Sequence, residues 1–172
     1  MNSIVQHTLI VILPLVLANT LHMLLVKHYS WLSIINIPVS DKLFGKNKTW
    51  RGFIFLITVN ALLVFTTVQL FSIQLNNSAL LGAILGFTYL LFELPNSYMK
   101  RKLGVGPGEK HQRYRYFFSW IDKSDSAFGL SLVYWLLGYT DWKMAILLFF
   151  ICSATHVVSS LILVGLKIKS SF

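Results

Sequence analysis

Asp122 and Asp125 stand three residues apart in a sequence that holds only six acidic residues among 172. On a helix that spacing turns both carboxylates to one face. They would then be close enough to share or flank a divalent cation. Hard cations such as Mg²⁺ take oxygen ligands and bridge to substrate phosphates. The plainer use of Asp122-Lys123-Ser124-Asp125-Ser126 is to cap and open a helix, for which Asp and Ser are favoured. Capping needs one residue, so a second aspartate in a chain this poor in acid favours metal binding. Glu93 is set among apolar residues, where an ionisable group is costly and by default points to function. It leads the run Glu93-Leu94-Pro95-Asn96-Ser97-Tyr98-Met99-Lys100-Arg101. A helix puts Glu93, Asn96, Ser97 and Lys100 on one face. Pro95 is expected to bend that helix and free a backbone carbonyl. The plainer alternative for Glu93 is a pairing with a nearby lysine at the membrane edge.

Cations suited to phosphate flank these acids. The run Asp41-Lys42-Leu43-Phe44-Gly45-Lys46-Asn47-Lys48-Thr49-Trp50-Arg51-Gly52 is basic and ends where an apolar stretch begins. Exposed backbone N–H groups at such a helix start suit an anion. The competing use is a topology signal, with Trp50 in the interfacial belt. The spacing of a Walker loop is absent. Gly104-Val105-Gly106-Pro107-Gly108 makes a tight turn that could wrap phosphates, although a plain connection is the commoner meaning. Lys110, His111, Arg113 and Arg115 follow, interleaved with Tyr114, Tyr116 and Phe117, a pattern for lipid phosphates, a base or anionic lipid heads. His7, His22 and His156 have no partner at ligand spacing and read as polar core packing. Cys152, the one cysteine, lies in an apolar run and reads as a small core residue.

These residues must be positioned by helices in a bilayer. The chain is 55% hydrophobic and 12% charged, half the charge of a usual soluble domain. That excludes a soluble globular domain, a disordered chain and a disulfide scaffold. Apolar runs such as Leu147-Leu148-Phe149-Phe150-Ile151 do not alternate, which excludes the strands of an outer-membrane barrel. The expectation is an all-α integral membrane protein forming a single polytopic domain over 1–172. Five spans are expected: Ile4–Val26, Phe53–Leu75, Ala79–Met99, Asp122–Tyr139 and Met144–Leu166. The fourth reaches spanning length only if its helix opens at the Asp122–Asp125 turn. Residues 1–26 lack the basic start and small-residue cleavage site of a signal peptide, and are kept as a helix.

With five spans, fourteen of the fifteen Lys and Arg residues fall on one side, Lys143 alone on the other. By the positive-inside bias the N-terminus is outside and the C-terminus cytoplasmic. The expected location is the plasma membrane, multi-pass, with the active site facing the cytoplasm. The net charge of +9 is thereby accounted for without nucleic acid. A unit this small is also a candidate homodimer.

Three of these segments, in this order, resemble the CDP-archaeol synthase family, a branch related to the phosphatidate cytidylyltransferases. They are Phe44 to Gly52, Pro95 to Arg101, and Gly104-Val105-Gly106-Pro107-Gly108 through Asp125. The similarity covers roughly Ile37 to Gly129. Lys123 stands where the family usually has Gln between its aspartates. The resemblance implies transfer of CMP from CTP to a membrane lipid phosphate, of archaetidic or phosphatidic acid type, with Mg²⁺ as cofactor and pyrophosphate released. Glu93, Asp122 and Asp125 would hold the metal. Lys100 and Arg101 would join the aspartates in catalysis. Lys46, Lys48, Thr49, Arg51, Asn96, Ser97, Gly106 and Gly108 would bind substrate. Two rivals bear comparison. A CDP-alcohol phosphotransferase needs further aspartates, and only Asp141 follows Asp125. A non-catalytic membrane protein binding anionic lipid or a partner subunit would carry basic loops without a carboxylate cluster.

Overall fold

A computed structural model describes residues 3–28, 36–106, 109 and 115–168. Among these residues the secondary structure is helical and no strand forms. The helices are α1 (Ile4–His28), α2 (Asp41–Phe44), α3 (Trp50–Leu70), α4 (Ser78–Lys102), α5 (Arg115–Leu136) and α6 (Trp142–Gly165). At about 1.5 Å per residue the five long helices each cover roughly a bilayer core. Four of them, α1, α3, α4 and α6, are both long and apolar enough to cross a membrane. Their outward faces carry exposed side chains such as Ile54, Leu62, Phe87 and Phe150. A surface this apolar suits lipid rather than water.

Two expectations are corrected. Asp122 and Asp125 do not open the fourth long helix, because α5 starts at Arg115 and both aspartates lie well inside it. The physical reason is that Phe118, upstream of them, is buried. The polar run is therefore internal to the helix and satisfied by its neighbour. Capping is thereby removed as an account of the pair. Lys123, counted in the sequence among the fourteen basic residues on one side, is likewise in α5 and buried. Pro95 lies inside α4, as the expected third span had it, and the helix continues to Lys102.

The first loop is clasped. Pro38 and Thr49 form an antiparallel bridge, with Val39 N–H donating to Lys48 O at 2.8 Å and Trp50 N–H to Ile37 O at 3.0 Å. Inside the clasp α2 turns once, and Gly45 reverses the chain at φ 82°, a conformation that suits glycine. Thr49 caps α3 by accepting from Gly52 N–H. Lys48 is thus held on an anchored segment.

Small residues set the helix approach. A Cβ on Gly82 would stand 2.8 Å from both Ala61 Cα and Asn60 O, so α3 and α4 pack backbone to backbone there. Asn60, fully buried, donates to Gly82 O at 2.7 Å. A Cβ on Gly129 would meet the Phe92 ring, which fixes how closely α5 lies on α4. The core runs through all five long helices and includes Ile10, Leu56, Leu85, Leu130 and Leu148. At one end of the bundle Lys27, in the last turn of α1, donates to Lys167 O just past α6. His7 is buried and bonds the Tyr134 hydroxyl at 3.1 Å, as polar core packing.

Candidate functional site

α4 supplies one face of the site. Tyr89, Glu93, Asn96 and Lys100 recur at helical spacing and point the same way. α5 lies against that face and presents Asp122 and Asp125. Asn96 bridges the pair, its amide donating to Asp122 Oδ1 at 2.5 Å and to Asp125 Oδ2 at 3.2 Å. Lys100 Nζ donates to both oxygens of Asp122 at 2.5 Å and stands 5.8 Å from the Phe118 ring centroid. Asp125 also accepts from the Ser126 N–H through Oδ1.

The clasped loop supplies the next member. Lys48 forms an ion pair with Glu93, and both side chains are largely buried. Glu93 also accepts from the Tyr89 hydroxyl and interacts with His156 of α6. Tyr89 in turn receives the Asn19 amide of α1 at 3.5 Å. Glu93 and Asp125 are near enough to interact electrostatically. Residues from α1, the first loop, α4, α5 and α6 therefore meet in one polar cluster within an apolar bundle. In such surroundings each carboxylate needs its cation and donors.

The structure gathers Lys48, Glu93, Asn96, Lys100, Asp122 and Asp125 of the residues singled out in the sequence. Others are engaged elsewhere. The Thr49 hydroxyl caps α3. Ser97 Oγ donates back to Glu93 O at 3.0 Å. Arg101 Nη1 turns to Val105 O, and Arg51 interacts with His22. Lys46 is exposed. The Gly106 N–H is taken by the Glu109 carboxylate at 2.9 Å, an anion contact of the kind a phosphate makes. Gly108 lies outside the described residues. Tyr89 and His156 join the cluster without having been foreseen. Tyr89 stands four residues before Glu93, a readable spacing, but nothing local in the sequence ties His156 to Glu93.

A hard cation suits the donors on hand. Asp122 and Asp125 share one amide, and the Asn96 Oδ1 is buried with no hydrogen-bond partner. These are oxygen donors of the kind Mg²⁺ selects. Among the described residues no three His, Cys, Asp or Glu side chains are grouped to hold a metal between them. Mg²⁺ does not need a third, because it is commonly held by one or two carboxylates together with water and substrate phosphates.

Known proteins bear on this arrangement. The CarS-like CDP-archaeol synthase model matches residues 1–172. A CDP-archaeol synthase of Staphylothermus marinus is 29% identical over 158 residues, covering 84% of this chain and 80% of that protein. No solved structure matches the chain. With the match spanning its whole length, the chain belongs to the CarS-like CDP-archaeol synthase family.

Proposed function

We propose that the protein transfers CMP from CTP to a membrane lipid phosphate of archaetidic or phosphatidic acid type, yielding a CDP-lipid and pyrophosphate. The observation that carries the reading is the Asn96 bridge between Asp122 and Asp125, with Lys100 on the same carboxylate. It sets two acids and a cation at one point of a helix-lined site, and family membership supplies the reaction class. An oxygen of the lipid phosphate bonds to the α-phosphorus of CTP. The bond from that phosphorus to the bridging oxygen breaks, and its electron pair leaves with pyrophosphate. Both reactants are anions, so positioning and charge neutralisation supply most of the catalysis.

Asp122 and Asp125 would hold Mg²⁺, with the Asn96 amide turned to offer its oxygen and Glu93 joining once Lys48 releases it. Bound there, Mg²⁺ supplies charge neutralisation at the phosphates. Lys100 and Lys48, now paired to carboxylates, are the cations poised to shift onto phosphate oxygens. Arg51 and Lys46 extend the basic rim toward the triphosphate, and Arg101 orders the turn at Val105. No covalent nucleophile is required.

The same reading places α5 as a fifth span, since its polar run is paired to α4 rather than left to lipid. The whole chain is then one polytopic unit of the plasma membrane. Its N-terminus is outside, with the basic ends of the helices and the site on the cytoplasmic side, where CTP is found. The test is incubation of purified protein with labelled CTP, Mg²⁺ and a panel of ether- and ester-linked lipid phosphates. A labelled CDP-lipid is expected, and its absence with every lipid phosphate overturns the reading.

A further inference from the structure

Two of the clustered carboxylates carry a lysine each. Lys100 Nζ straddles Asp122, 2.5 Å from both of its oxygens, and Lys48 is paired with Glu93. An ammonium held between the two oxygens of a carboxylate stands where a metal ion ligated by that carboxylate would stand. Asp125 is held instead by neutral donors, the Asn96 amide and the Ser126 N–H. Asn96 is 5% exposed, and its Oδ1 is buried with no hydrogen-bond partner. The cluster therefore has an oxygen acceptor to spare beside acids on which two cations are already seated.

The lysines come from different elements, the last turn of α4 and the clasped loop. Their side chains are only 17% and 22% exposed. Drawing an ammonium off its carboxylate in such surroundings leaves charge uncompensated, which is costly. A divalent cation arriving alone would displace ammoniums with no anion to receive them. A triphosphate arriving alone would draw the lysines from carboxylates left facing it. When both arrive, the carboxylates and Asn96 Oδ1 turn to the metal and the ammoniums to phosphate oxygens. Every charge then keeps a partner of opposite sign.

We propose that Lys100 and Lys48 are exchangeable stand-ins for the metal at Asp122 and Glu93, and that their transfer to the phosphates makes metal and CTP binding depend on each other. The inference rests on the proposed reaction and adds how its site resists filling by metal or nucleotide alone. Such coupling is reciprocal, so it can be read from either ligand.

The test uses full-length protein in detergent and reads binding rather than turnover. Mn²⁺ is the metal probe, followed by the paramagnetic resonance of the free ion. Labelled CTP is measured by equilibrium dialysis with Mg²⁺ or with EDTA. Wild-type protein should bind CTP about tenfold or more tighter with Mg²⁺, within the usual range of coupling between sites. Lys100→Met should tighten Mn²⁺ binding without nucleotide by about tenfold and weaken CTP binding with Mg²⁺ by about as much, the scale of one charge-assisted hydrogen bond. Lys48→Met should move both in the same directions. Lys102→Met, at an exposed position, controls for the general positive field and should move neither. Adding Asp122→Asn to Lys100→Met should cancel the gain in Mn²⁺ affinity. The inference is overturned if Mn²⁺ affinity is unchanged or falls in the Lys48 and Lys100 variants, since the lysines then only brace the acids. It is also overturned if Mn²⁺ affinity rises while CTP binding holds, if Lys102→Met has the same effect, or if wild-type protein binds CTP equally with Mg²⁺ and EDTA. Should Lys48→Met not fold, Lys100→Met decides, because its partner Asp122 is 41% exposed. Should wild-type protein make no CDP-lipid, the proposed reaction fails by itself, and these binding measurements decide the exchange separately.

Discussion

Asn96 is the side chain on which the two aspartates converge, and its bonds to both give each a defined place. Replacing Asp122 or Asp125 with Asn keeps shape and removes charge. Each variant is expected to lose CDP-lipid formation by about 10²-fold or more, the scale of removing one transition-state charge contact. For Asp122→Asn the melting temperature should barely move, because the Lys100–Asp122 pair is partly exposed and such pairs contribute about 0–1 kcal/mol. Near-normal turnover in Asp125→Asn would sink the proposed metal site. EDTA should likewise stop turnover in the wild type, with Mg²⁺ restoring it. Lys48 carries two roles that can be separated. Lys48→Ala leaves the largely buried Glu93 without its cation and should lower stability by about 1–3 kcal/mol, as well as weakening CTP binding. Adding Glu93→Gln should recover melting temperature but not CTP affinity. Recovery of both would make Lys48 a structural partner alone.

At the scale of the elements, close helix approach sets the site. Lys48 reaches Glu93 only because the Pro38–Thr49 bridge anchors its loop. α4 meets α3 through Gly82. Gly82→Ala should therefore cost about 1–3 kcal/mol by overpacking, since the nearest atoms are backbone and cannot swing aside. Gly165→Ala is the control. Nothing lies within 4 Å of its Cβ position, so the change should be neutral or slightly stabilising. Thermal melting in detergent compares the two. Equal melting temperatures would mean that α3 and α4 have room to separate.

At the scale of the whole molecule, Lys27 and the chain beyond α6 meet at one end of the bundle, and the Lys48–Glu93 and Lys100–Asp122 pairs tie the first loop and the last turns of α4 into the site. The expected orientation puts that end in the cytoplasm. Single cysteines at the exposed positions Asn76 and Lys102, on a background with Cys152 replaced by Ser, report it. A membrane-impermeant thiol reagent applied to intact cells should label the Asn76 position and spare the Lys102 position. The reverse pattern would invert the topology and move the site away from cytoplasmic CTP.

Apolar run length and residue type are local properties, and partition into lipid depends on little else. The sequence alone was therefore enough to identify the four long apolar helices, the basic segments between them and the scarce acids. The helical spacing of Glu93, Asn96 and Lys100 on α4 was legible for the same reason. Where α5 begins was not, because a polar run reads as a helix boundary until a neighbouring helix is known to satisfy it. Asn96 and Lys100 do so for Asp122. The reach of Lys48 to Glu93 across 45 residues, the arrival of His156, and the Lys123–Ser160 contact were decided by tertiary structure alone. Such meetings depend on how closely and at what height helices cross. That is set by packing at Gly82 and Gly129 against distant partners, not by the periodicity of any one segment.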